Sequence, residues 1–370
     1  MVIRIEAQAP GKLVIAGEYA VLEGAPGLAV AVDVRAQARV VSMPGRGNHL
    51  VIPDTGQQFR FHWVSDGRPR WEKSSPGAFG LPLEVCGEIL AARRLLPPAS
   101  ELAACEIELL TAAFFHAGND GRRMKLGLGS SAAVVVALTG ALLRLAGGPA
   151  LPRQDLIDIC CEAHRRLQGG TGSGIDVATS ITGGTVAIAI VRHPKTDARM
   201  VQALPVAWPR QLRLVAVWSG ESASTPGMLG RLRAFHERHA GQYLGHMRSL
   251  GATAGQAVAA WKAGNVSAVL SAVASYESGL RRLDESAGIG IFSPVHERLR
   301  GIAQRHSAVY KPSGAGGGDF GIALTDSRDV EQALRADYAA AGYLTLDAGL
   351  GGPGLTVRGG AVPVDQWTKR

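Results

Sequence analysis

The sequence lacks most of the features that mark secreted or membrane proteins. Its 370 residues include only four cysteines, with no CxxC pair, and the adjacent Cys160 and Cys161 fall within a helical pattern. Neighbouring cysteines on a helix point in different directions, so we expect buried thiols rather than a disulfide or a metal site. No apolar run is long enough to cross a bilayer, and residues 1–10 do not resemble a signal peptide. We therefore expect a cytoplasmic protein.

Clustered charge and aromatic residues are also scarce. The formal net charge is +8, yet the arginines are scattered, no run of five like charges occurs, and aromatic residues make up only 5%. A nucleic-acid-binding surface normally concentrates such residues, so a small anionic substrate accounts better for the positive charge. With 46% hydrophobic and 19% charged residues the composition is typical of folded proteins, and the length predicts two domains.

The spacing of apolar residues predicts an α+β fold. Alternation over residues 2–41 predicts a mixed or antiparallel sheet, in which one strand begins at Lys12 after a Pro-Gly turn. Apolar residues at helical spacing predict helices over residues 83–96, 130–148, 152–168, 225–283 and 327–343. The predicted secondary structure becomes largely helical after about residue 205. We place a domain boundary there, which gives predicted domains 1–205 and 206–370.

The stretch GLGSSAA, Gly127 to Ala133, lies between a short predicted strand and an apolar predicted helix. Such a turn directs free backbone N–H groups and the positive end of a helix dipole to one point, which suits a phosphate. The Walker motif is absent, and a dinucleotide site is disfavoured because no alternating βαβ units surround the loop. Phosphate binding and a plain tight turn both remain open. Ser130 and Ser131 could cap the helix, ligand Mg²⁺, or do both.

Three other segments carry a few charged residues among small or apolar ones. Asp176 is the single acid of the glycine-rich loop GTGSGIDVATSITGG, where it is either a turn residue or a group that a ligand can approach closely. Lys12 stands in APGKLVIAGEYAVLEG, near Glu18 and Tyr19. The stretch KPSGAGGGDFG, residues 311–321, lies between two apolar runs, which excludes a flexible linker and predicts a tightly bent backbone.

Together and in this order, the segments APGKLVIAGEYAVL, KLGLGSSAAVVVAL and KPSGAGGGDFGIAL resemble the three motifs of the GHMP small-molecule kinases. The resemblance spans residues 9–324. It implies a two-domain α+β fold, with a ribosomal-S5-like N-terminal α/β domain that holds the phosphate loop and a ferredoxin-like C-terminal α+β domain. It also implies a monomer or homodimer that uses ATP and Mg²⁺ and has no nucleic-acid or membrane partner.

Within the family, the sequences of these motifs most resemble those of the phosphomevalonate kinase branch. The features shared with that branch are Glu18-Tyr19, the segment GSGIDVA and the aspartate of KPSGAGGGD. The resemblance therefore implies transfer of the ATP γ-phosphoryl group to 5-phosphomevalonate, in the mevalonate route to isoprenoids. Mevalonate kinase, or another kinase of the family with a hydroxyl acceptor, stays the alternative.

The resemblance also assigns roles to individual positions. It implies that the ATP phosphates are bound by Gly127, Leu128, Gly129, Ser130, Ser131 and Ala132, with Ser130 or Ser131 on magnesium. It implies catalytic roles for Lys12 and Asp176. Glycines of the third motif are expected to approach the phosphate loop and the acceptor. The implied substrate-binding residues are Lys12, Glu18, Tyr19, His164, Arg166, Ser173, Gly174, Lys311, Ser313, Gly314, Ala315 and Gly316.

One position departs from the mevalonate kinase pattern. Where those enzymes carry a magnesium-binding glutamate before the aspartate loop, this sequence has Arg165, with Glu162 a turn earlier. A phosphate monoester has a second pKa of about 6, so as an acceptor it needs cations more than a general base. The stretch His164 to Arg166 would supply them, although a helical arginine pair is also typical of a solvated face. Asp176 would then mainly orient Lys12 and the acceptor.

Overall fold

The computed structural model describes residues 2–43, 45–118, 123–170, 172–192 and 199–362. Its strands are β1 Val2–Ala16, β2 Gly27–Ser42, β3 Asn48–Ile52, β4 Gln57–Trp63, β5 Pro69–Trp71, β6 Cys105–Leu110, β7 Phe115–Ala117, β8 Arg123–Lys125, β9 Thr185–Arg192, β10 Arg199–Val206, β11 Arg213–Trp218, β12 Val309–Pro312, β13 Phe320–Thr325 and β14 Thr356–Val362. Its helices are α1 Leu81–Ala92, α2 Ser130–Leu145, α3 Arg153–Leu167, α4 Ile175–Thr182, α5 Thr225–Arg238, α6 Ala240–Lys262, α7 Val266–Ala287, α8 Pro294–Arg305 and α9 Arg328–Ala340.

A nine-stranded sheet forms the larger part of the fold. Its strands run in the order β10-β9-β2-β6-β3-β4-β5, and β1 pairs with both β2 and β14. The pairings are antiparallel except for β3 with β6. In the second half of β2, buried Ala36, Ala38 and Val40 alternate with more exposed polar residues, as expected where helices cover one face of a sheet. The helix α2 packs on β1 and β2 and is buried along most of its length.

A smaller antiparallel sheet, in the order β11-β13-β12, has a second apolar core beneath α8 and α9. The long helices α6 and α7 pack against each other and also contact the N-terminal segment. The Tyr243 hydroxyl of α6 donates a 2.6 Å hydrogen bond to Glu23, and the Tyr276 hydroxyl of α7 donates a 2.5 Å bond to the carbonyl of Glu18. These contacts fix the chain just after β1, where several site residues lie.

The predicted class and most predicted elements agree with this α+β architecture. The helices expected over residues 225–283 are α5 to α7, and the one expected at 152–168 is α3. All four cysteines are free and buried, as predicted, and burial raises the pKa of Cys86 to about 11. No helix within the described ranges is both long enough and apolar enough to cross a membrane.

Two local predictions are wrong. Pro10-Gly11 is not a turn before a strand: both residues lie inside β1, where the pairing with β2 shifts register between them. Asp176 is not in a loop but in the first turn of α4, which begins directly after Gly174. In both places long-range packing determines the backbone more strongly than the local turn pattern does.

The predicted boundary near residue 205 stays a prediction. The chain returns to the large sheet near its end, because Gln8 of β1 lies opposite Thr356 of β14 and Arg4 lies opposite Gly360. A division at residue 205 would therefore separate two paired strands. The apolar core around β1 and α2 is also continuous with residues of α5 to α7.

Candidate active site

The glycine-rich loop between β8 and α2 has the geometry of an anion-binding helix terminus. Gly127 and Gly129 adopt φ of +75° and +82°, and Gly129 precedes the first turn of α2 without any side-chain capping bond. Ser130 and Ser131 are the first two residues of the helix, so neither is its N-cap. The N–H groups of the first turn are therefore left for an external acceptor, which the helix dipole favours when it is negative.

Strand β1 passes directly under this loop. The backbone N–H of Lys12 donates a 2.9 Å hydrogen bond to the carbonyl of Leu128. A Cβ at Gly11 would lie 2.7 Å from that same carbonyl oxygen, so only glycine permits this approach. The contact places the Lys12 side chain beside the N-terminus of α2.

Lys12 and Asp176 face each other at this point. The Lys12 Nζ atom lies 3.6 Å from Asp176 Oδ1, and the side chains are 9% and 30% exposed. A Cβ on Gly129 would lie 3.4 Å from Asp176 Oδ2 and 3.4 Å from Lys12 Cε, so the loop adjoins both groups. The structure thus brings the two residues with predicted catalytic roles together next to the predicted phosphate loop.

His164 of α3 adds a polar contact to the same end of α2. Its Nε2 atom lies 3.0 Å from the hydroxyl of Ser131. Burial lowers the pKa of His164, an effect that Lys12 and Lys125 reinforce and Asp176 opposes. The imidazole is therefore mainly neutral at neutral pH, and its hydrogen bond fixes the Ser131 hydroxyl.

Lys311 lies beneath the site rather than in it. Its side chain is fully buried, and its ammonium group donates to the Glu18 carboxylate and, at 2.7 Å, to the carbonyl of Pro312. Burial lowers the pKa of Lys311, and the charge of Glu18 opposes that shift. The backbone N–H of Gly314 donates a further 3.3 Å bond to Glu18. The pair thus joins the first and third motifs.

Two more contacts connect these motifs. The Ser313 hydroxyl accepts a 2.8 Å bond from the N–H of Val14 and donates a 3.0 Å bond to the Val14 carbonyl. The Tyr19 hydroxyl donates to the carbonyl of Ala315. A Cβ at Gly314 would lie 3.9 Å from Lys12 Nζ, so this glycine adjoins the lysine.

The expected reason for the third-motif glycines is wrong at two positions. A Cβ at Gly316 would first meet the carbonyl oxygen of Ile291, at 2.6 Å, and one at Gly317 would first meet the carbonyl oxygen of Gly290, at 3.1 Å. Both have positive φ, so these glycines permit close packing against the segment before α8. Neither position owes its lack of a side chain to the phosphate loop.

Asp319 makes the close contact between the third motif and the phosphate loop. A Cβ on Gly127 would lie 2.1 Å from the carboxyl carbon of Asp319, whose Oδ1 accepts a 3.2 Å bond from the N–H of Ala223. Burial raises the pKa of Asp319, and the hydrogen bond from Ala223, together with Lys12 and Lys125, opposes the rise. Our sequence assignment omitted this residue, although it is the single acid of its glycine run.

These elements enclose a cavity of about 190 Å³, here called the central cavity. It is lined by Lys12, Glu18, Tyr19, Val21, Leu22, His164, Gln168, Gly172, Ser173, Gly174, Ile175, Asp176, Thr225, Leu229, Gly314 and Ala315. Lys311, Ser313 and Gly316 lie outside its lining, but eight of the twelve predicted substrate-binding residues line it. Arg166 is not among them: its guanidinium lies 3.1 Å from Glu88 and 2.6 Å from Glu162, which fits the solvated-face alternative.

A second cavity, of about 360 Å³, adjoins the first and is here called the arginine cavity. The two share Leu22, Gly172 and Leu229. The arginine cavity is also lined by Glu23, Arg165, Gly170, Arg199, Leu232, Arg233, His236 and Tyr243. No sequence motif indicated Arg199 or Arg233, because they come from elements far apart in the chain.

Comparisons with known proteins identify the family of the chain. Residues 107–184 match the family model of the GHMP kinases N terminal domain. The phosphomevalonate kinase of Streptomyces sp. (strain CL190) is 32% identical over 376 residues, which cover 91% of this chain and 95% of that enzyme.

Solved structures show the same fold. A protein from Listeria innocua has a TM-score of 0.82 at 22% identity and covers 96% of this chain and 99% of its own. Streptococcus pneumoniae phosphomevalonate kinase, in complex with phosphomevalonate and AMPPNP, has a TM-score of 0.73 at 22% identity, covering 93% and 99%. The motif order, the glycine-rich loop before α2 and these similarities together establish that the chain belongs to the GHMP kinase family.

Proposed function

We propose that the protein is a phosphomevalonate kinase, which transfers the γ-phosphoryl group of ATP to (R)-5-phosphomevalonate and forms 5-diphosphomevalonate and ADP. The observation that carries the proposal is the 32% identity with the Streptomyces phosphomevalonate kinase over 91% of this chain. The product belongs to the mevalonate route to isoprenoids. A cytoplasmic location and a monomeric or dimeric state stay predictions.

The geometry suggests how the reaction proceeds. The ATP phosphates would lie on the N-terminus of α2, held by residues 127–132, and the acceptor phosphate would lie in the central cavity beside Lys12. An oxygen of that phosphate attacks the γ-phosphorus, and the bond to the ADP oxygen breaks. A dianionic acceptor has no proton to lose, so positioning and charge stabilisation supply most of the rate.

Lys12 would neutralise charge shared by the acceptor phosphate and the transferring group. Asp176, 3.6 Å away, would hold the ammonium group in place and so act mainly as an orienting residue. Neutral His164 would keep the Ser131 hydroxyl directed at the loop. None of these roles requires the side chains to move from their positions in the structure.

The site fits a magnesium ion that arrives with the nucleotide. Among the described residues there is no cluster of three or more His, Cys, Asp or Glu side chains that could hold a metal ion. Glu162, a turn before Arg165, instead pairs with Arg93 and Arg166. Mg²⁺ usually keeps several waters and takes other ligands from substrate phosphates, so the hydroxyl oxygen of Ser130 or Ser131 would be its ligand from this loop. When bound, the ion would neutralise phosphate charge.

An ADP-release assay with the purified protein tests the proposal. We expect turnover with ATP and 5-phosphomevalonate, much weaker turnover with mevalonate, and a diphosphate product in the ³¹P NMR spectrum. Turnover with mevalonate but none with 5-phosphomevalonate would overturn the assignment in favour of a kinase with a hydroxyl acceptor. ATP binding in calorimetry without turnover on either acid would instead indicate a binding protein.

A further inference from the structure

Arg165 and Arg199 carry positive charge in the arginine cavity without a carboxylate partner. The Arg165 Nε atom donates a 3.2 Å bond to the carbonyl of Cys161, and Arg199 donates a 2.9 Å bond to the carbonyl of Val21. Neither forms an ion pair with another residue in the part of the chain that the structure describes. The adjacent Arg166, by contrast, contacts two carboxylates.

The environment of these arginines is unfavourable in the absence of an anion. Arg199 is half buried, and its pKa is lowered first by burial and then by the positive charge of Arg165, while Glu23 opposes the shift. Glu23 also lines the cavity, but its Oε1 already accepts the 2.6 Å bond from Tyr243. Like charges held together at a partly buried surface suit an anionic ligand, which a planar guanidinium can bind with two hydrogen bonds.

The position of the arginine cavity indicates which anion it would bind. The acceptor of the proposed reaction has a phosphate at one end and a carboxylate at the other, and between them lie methylene groups and a carbon that carries a methyl and a hydroxyl group. The phosphate must face the N-terminus of α2, so the carboxylate points away from Lys12. Leu22 and Leu229 lie where the two cavities meet and can contact the methyl and methylene groups of the acceptor. The extended acceptor would then reach the arginines with its other end.

We propose that Arg165 and Arg199 bind the carboxylate of the acceptor and thereby fix which end of the molecule faces ATP. This inference rests on the proposed function, since it takes the acceptor to be a phosphorylated hydroxy acid. It assigns a binding role to Arg165, which stands where mevalonate kinases carry a magnesium-binding glutamate. It assigns another to Arg199, which no sequence motif indicated. Arg233 and His236 add positive or polar character to the same cavity.

Steady-state kinetics on three single variants test the inference. Arg165→Gln and Arg199→Gln each remove a charged donor, so we expect KM for 5-phosphomevalonate to rise about 10- to 100-fold, with kcat and the KM for ATP little changed. Arg153→Gln is the matched control, because Arg153 is exposed at the start of the same helix α3 and lines neither cavity. Its kinetics should remain those of the wild type.

A second measurement changes the ligand in place of the protein. The C1 methyl ester of 5-phosphomevalonate lacks the carboxylate charge, so the wild type should bind it about 10- to 100-fold more weakly than the acid. Arg165→Gln and Arg199→Gln should lose most of that discrimination. This comparison holds even where a variant is less stable, because acid and ester are tested on the same protein.

The outcomes separate the two proposals. Equal KM values for acid and ester on the wild type, or unchanged discrimination in both arginine variants, would overturn the carboxylate assignment while leaving the kinase assignment intact. Absence of wild-type turnover with 5-phosphomevalonate would overturn the proposed function, and the carboxylate assignment with it.

Discussion

Lys12 is almost buried, and its ammonium group faces Asp176 at the N-terminus of α2. Replacing it by methionine keeps the length and much of the packing of the side chain but removes the charge. We expect Lys12→Met to lower kcat by about three orders of magnitude, because the lost cation would stabilise the transferring phosphoryl group. Asp176→Asn should also lower kcat strongly, since it removes the partner that holds the ammonium group. ADP release at saturating ATP measures both effects.

Thermal unfolding of the same variants is the control for this prediction. Melting temperatures within a few degrees of the wild type would show that the loss of rate arises in the active site. Rates near the wild-type value in either variant would mean that the active site lies elsewhere.

Asp319 gives a prediction about pH. Its pKa is higher in the folded chain than the ordinary value of about 3.9, mainly through burial, so folding disfavours the charged form. Asp319→Asn removes the charge and keeps an acceptor for the N–H of Ala223. The variant should therefore melt at a higher temperature than the wild type at pH 8. The gap should shrink as pH falls through the raised pKa, because the wild-type carboxyl becomes neutral there.

Melting curves for both proteins between pH 4.5 and pH 8 measure this gap. A gap that does not change with pH would contradict the burial of the carboxylate. A partly buried charge that costs stability beside the phosphate loop is typical of residues kept for binding or catalysis.

At the scale of single residues, sequence reasoning works where neighbours in space are also neighbours in a motif. The motifs containing Lys12, Asp176 and Gly314 were each visible as short segments, and their joint order indicated one site. Arg199 and Arg233 were not visible, because only the packing of β10 and α5 brings them into one cavity. Arg166 was chosen instead of Arg165, since the sequence cannot show which of two adjacent helical side chains meets Glu88.

Gly316 tests the third motif as a structural element. Its φ of +81° is strained for any residue with a Cβ, and the added atom would lie 2.6 Å from the backbone of Ile291. The strained backbone costs about 1–2 kcal/mol and overpacking about 1–3 kcal/mol more. We therefore expect Gly316→Ala to lower the free energy of unfolding measurably, and any loss of activity to follow from that destabilisation.

Gly264→Ala is the matched control in urea unfolding, because Gly264 has φ of +68° with open space around its Cβ position. It should show only the cost of the backbone strain. Equal destabilisation by the two variants would contradict the close packing at Gly316.

The buried pair of Lys311 and Glu18 connects β12 to the segment after β1. Lys311→Met should reduce the free energy of unfolding by about 3–5 kcal/mol, because it leaves the Glu18 carboxylate buried without its cation. The double variant with Glu18→Gln should be less destabilised than the single one. Chemical denaturation of the four proteins in the cycle measures this coupling.

A double variant as unstable as the single Lys311→Met variant would show that the pair does not act as a unit. Such a result would also leave the packing of the introduced methionine side chain as the main cause of the loss.

At the scale of elements, the predicted helices were mostly correct because their apolar spacing is strong. The errors fell on Pro10-Gly11 and on the start of α4, where the residues have a turn-like composition. A strand that passes under a phosphate loop needs glycine for the close approach, and a helix that starts beside it needs Gly174 in the left-handed region. Tertiary packing therefore uses residues that locally indicate turns.

At the scale of the whole molecule, strand β14 ties the end of the described chain to its beginning. It pairs with β1 over Val2–Gln8, and the side chains of Leu355 and Val357 pack close to Gly140 of α2. Deleting residues 354–370 should destabilise the large sheet, because β1 then loses one partner and α2 loses apolar cover. We expect a lower urea midpoint by far-UV circular dichroism and a large loss of kinase activity.

Deleting only residues 363–370 is the control, since it leaves β14 in place. Equal losses from the two deletions would contradict a role for the strand itself. A stable and active protein without residues 354–370 would show that β14 is dispensable.

The α+β class and the family could be predicted from three short motifs, since their order is specific. The return of β14 to β1 could not be predicted. Alternating residues such as those of TVRGGAV specify a strand but not its partner, because the register depends on a sheet edge more than 300 residues away. The predicted boundary near residue 205 also rests on a local pattern, which does not show which distant strands pair.

The pairing of β1 with β14 has a consequence for synthesis on the ribosome. More than 300 residues are synthesised between β1 and β14, so that edge of β1 stays open until its partner strand has also been made. Contacts between such distant segments slow folding, and an open strand edge can pair with other chains in the meantime. We therefore expect the rate of translation and the supply of chaperones to influence the yield of folded enzyme.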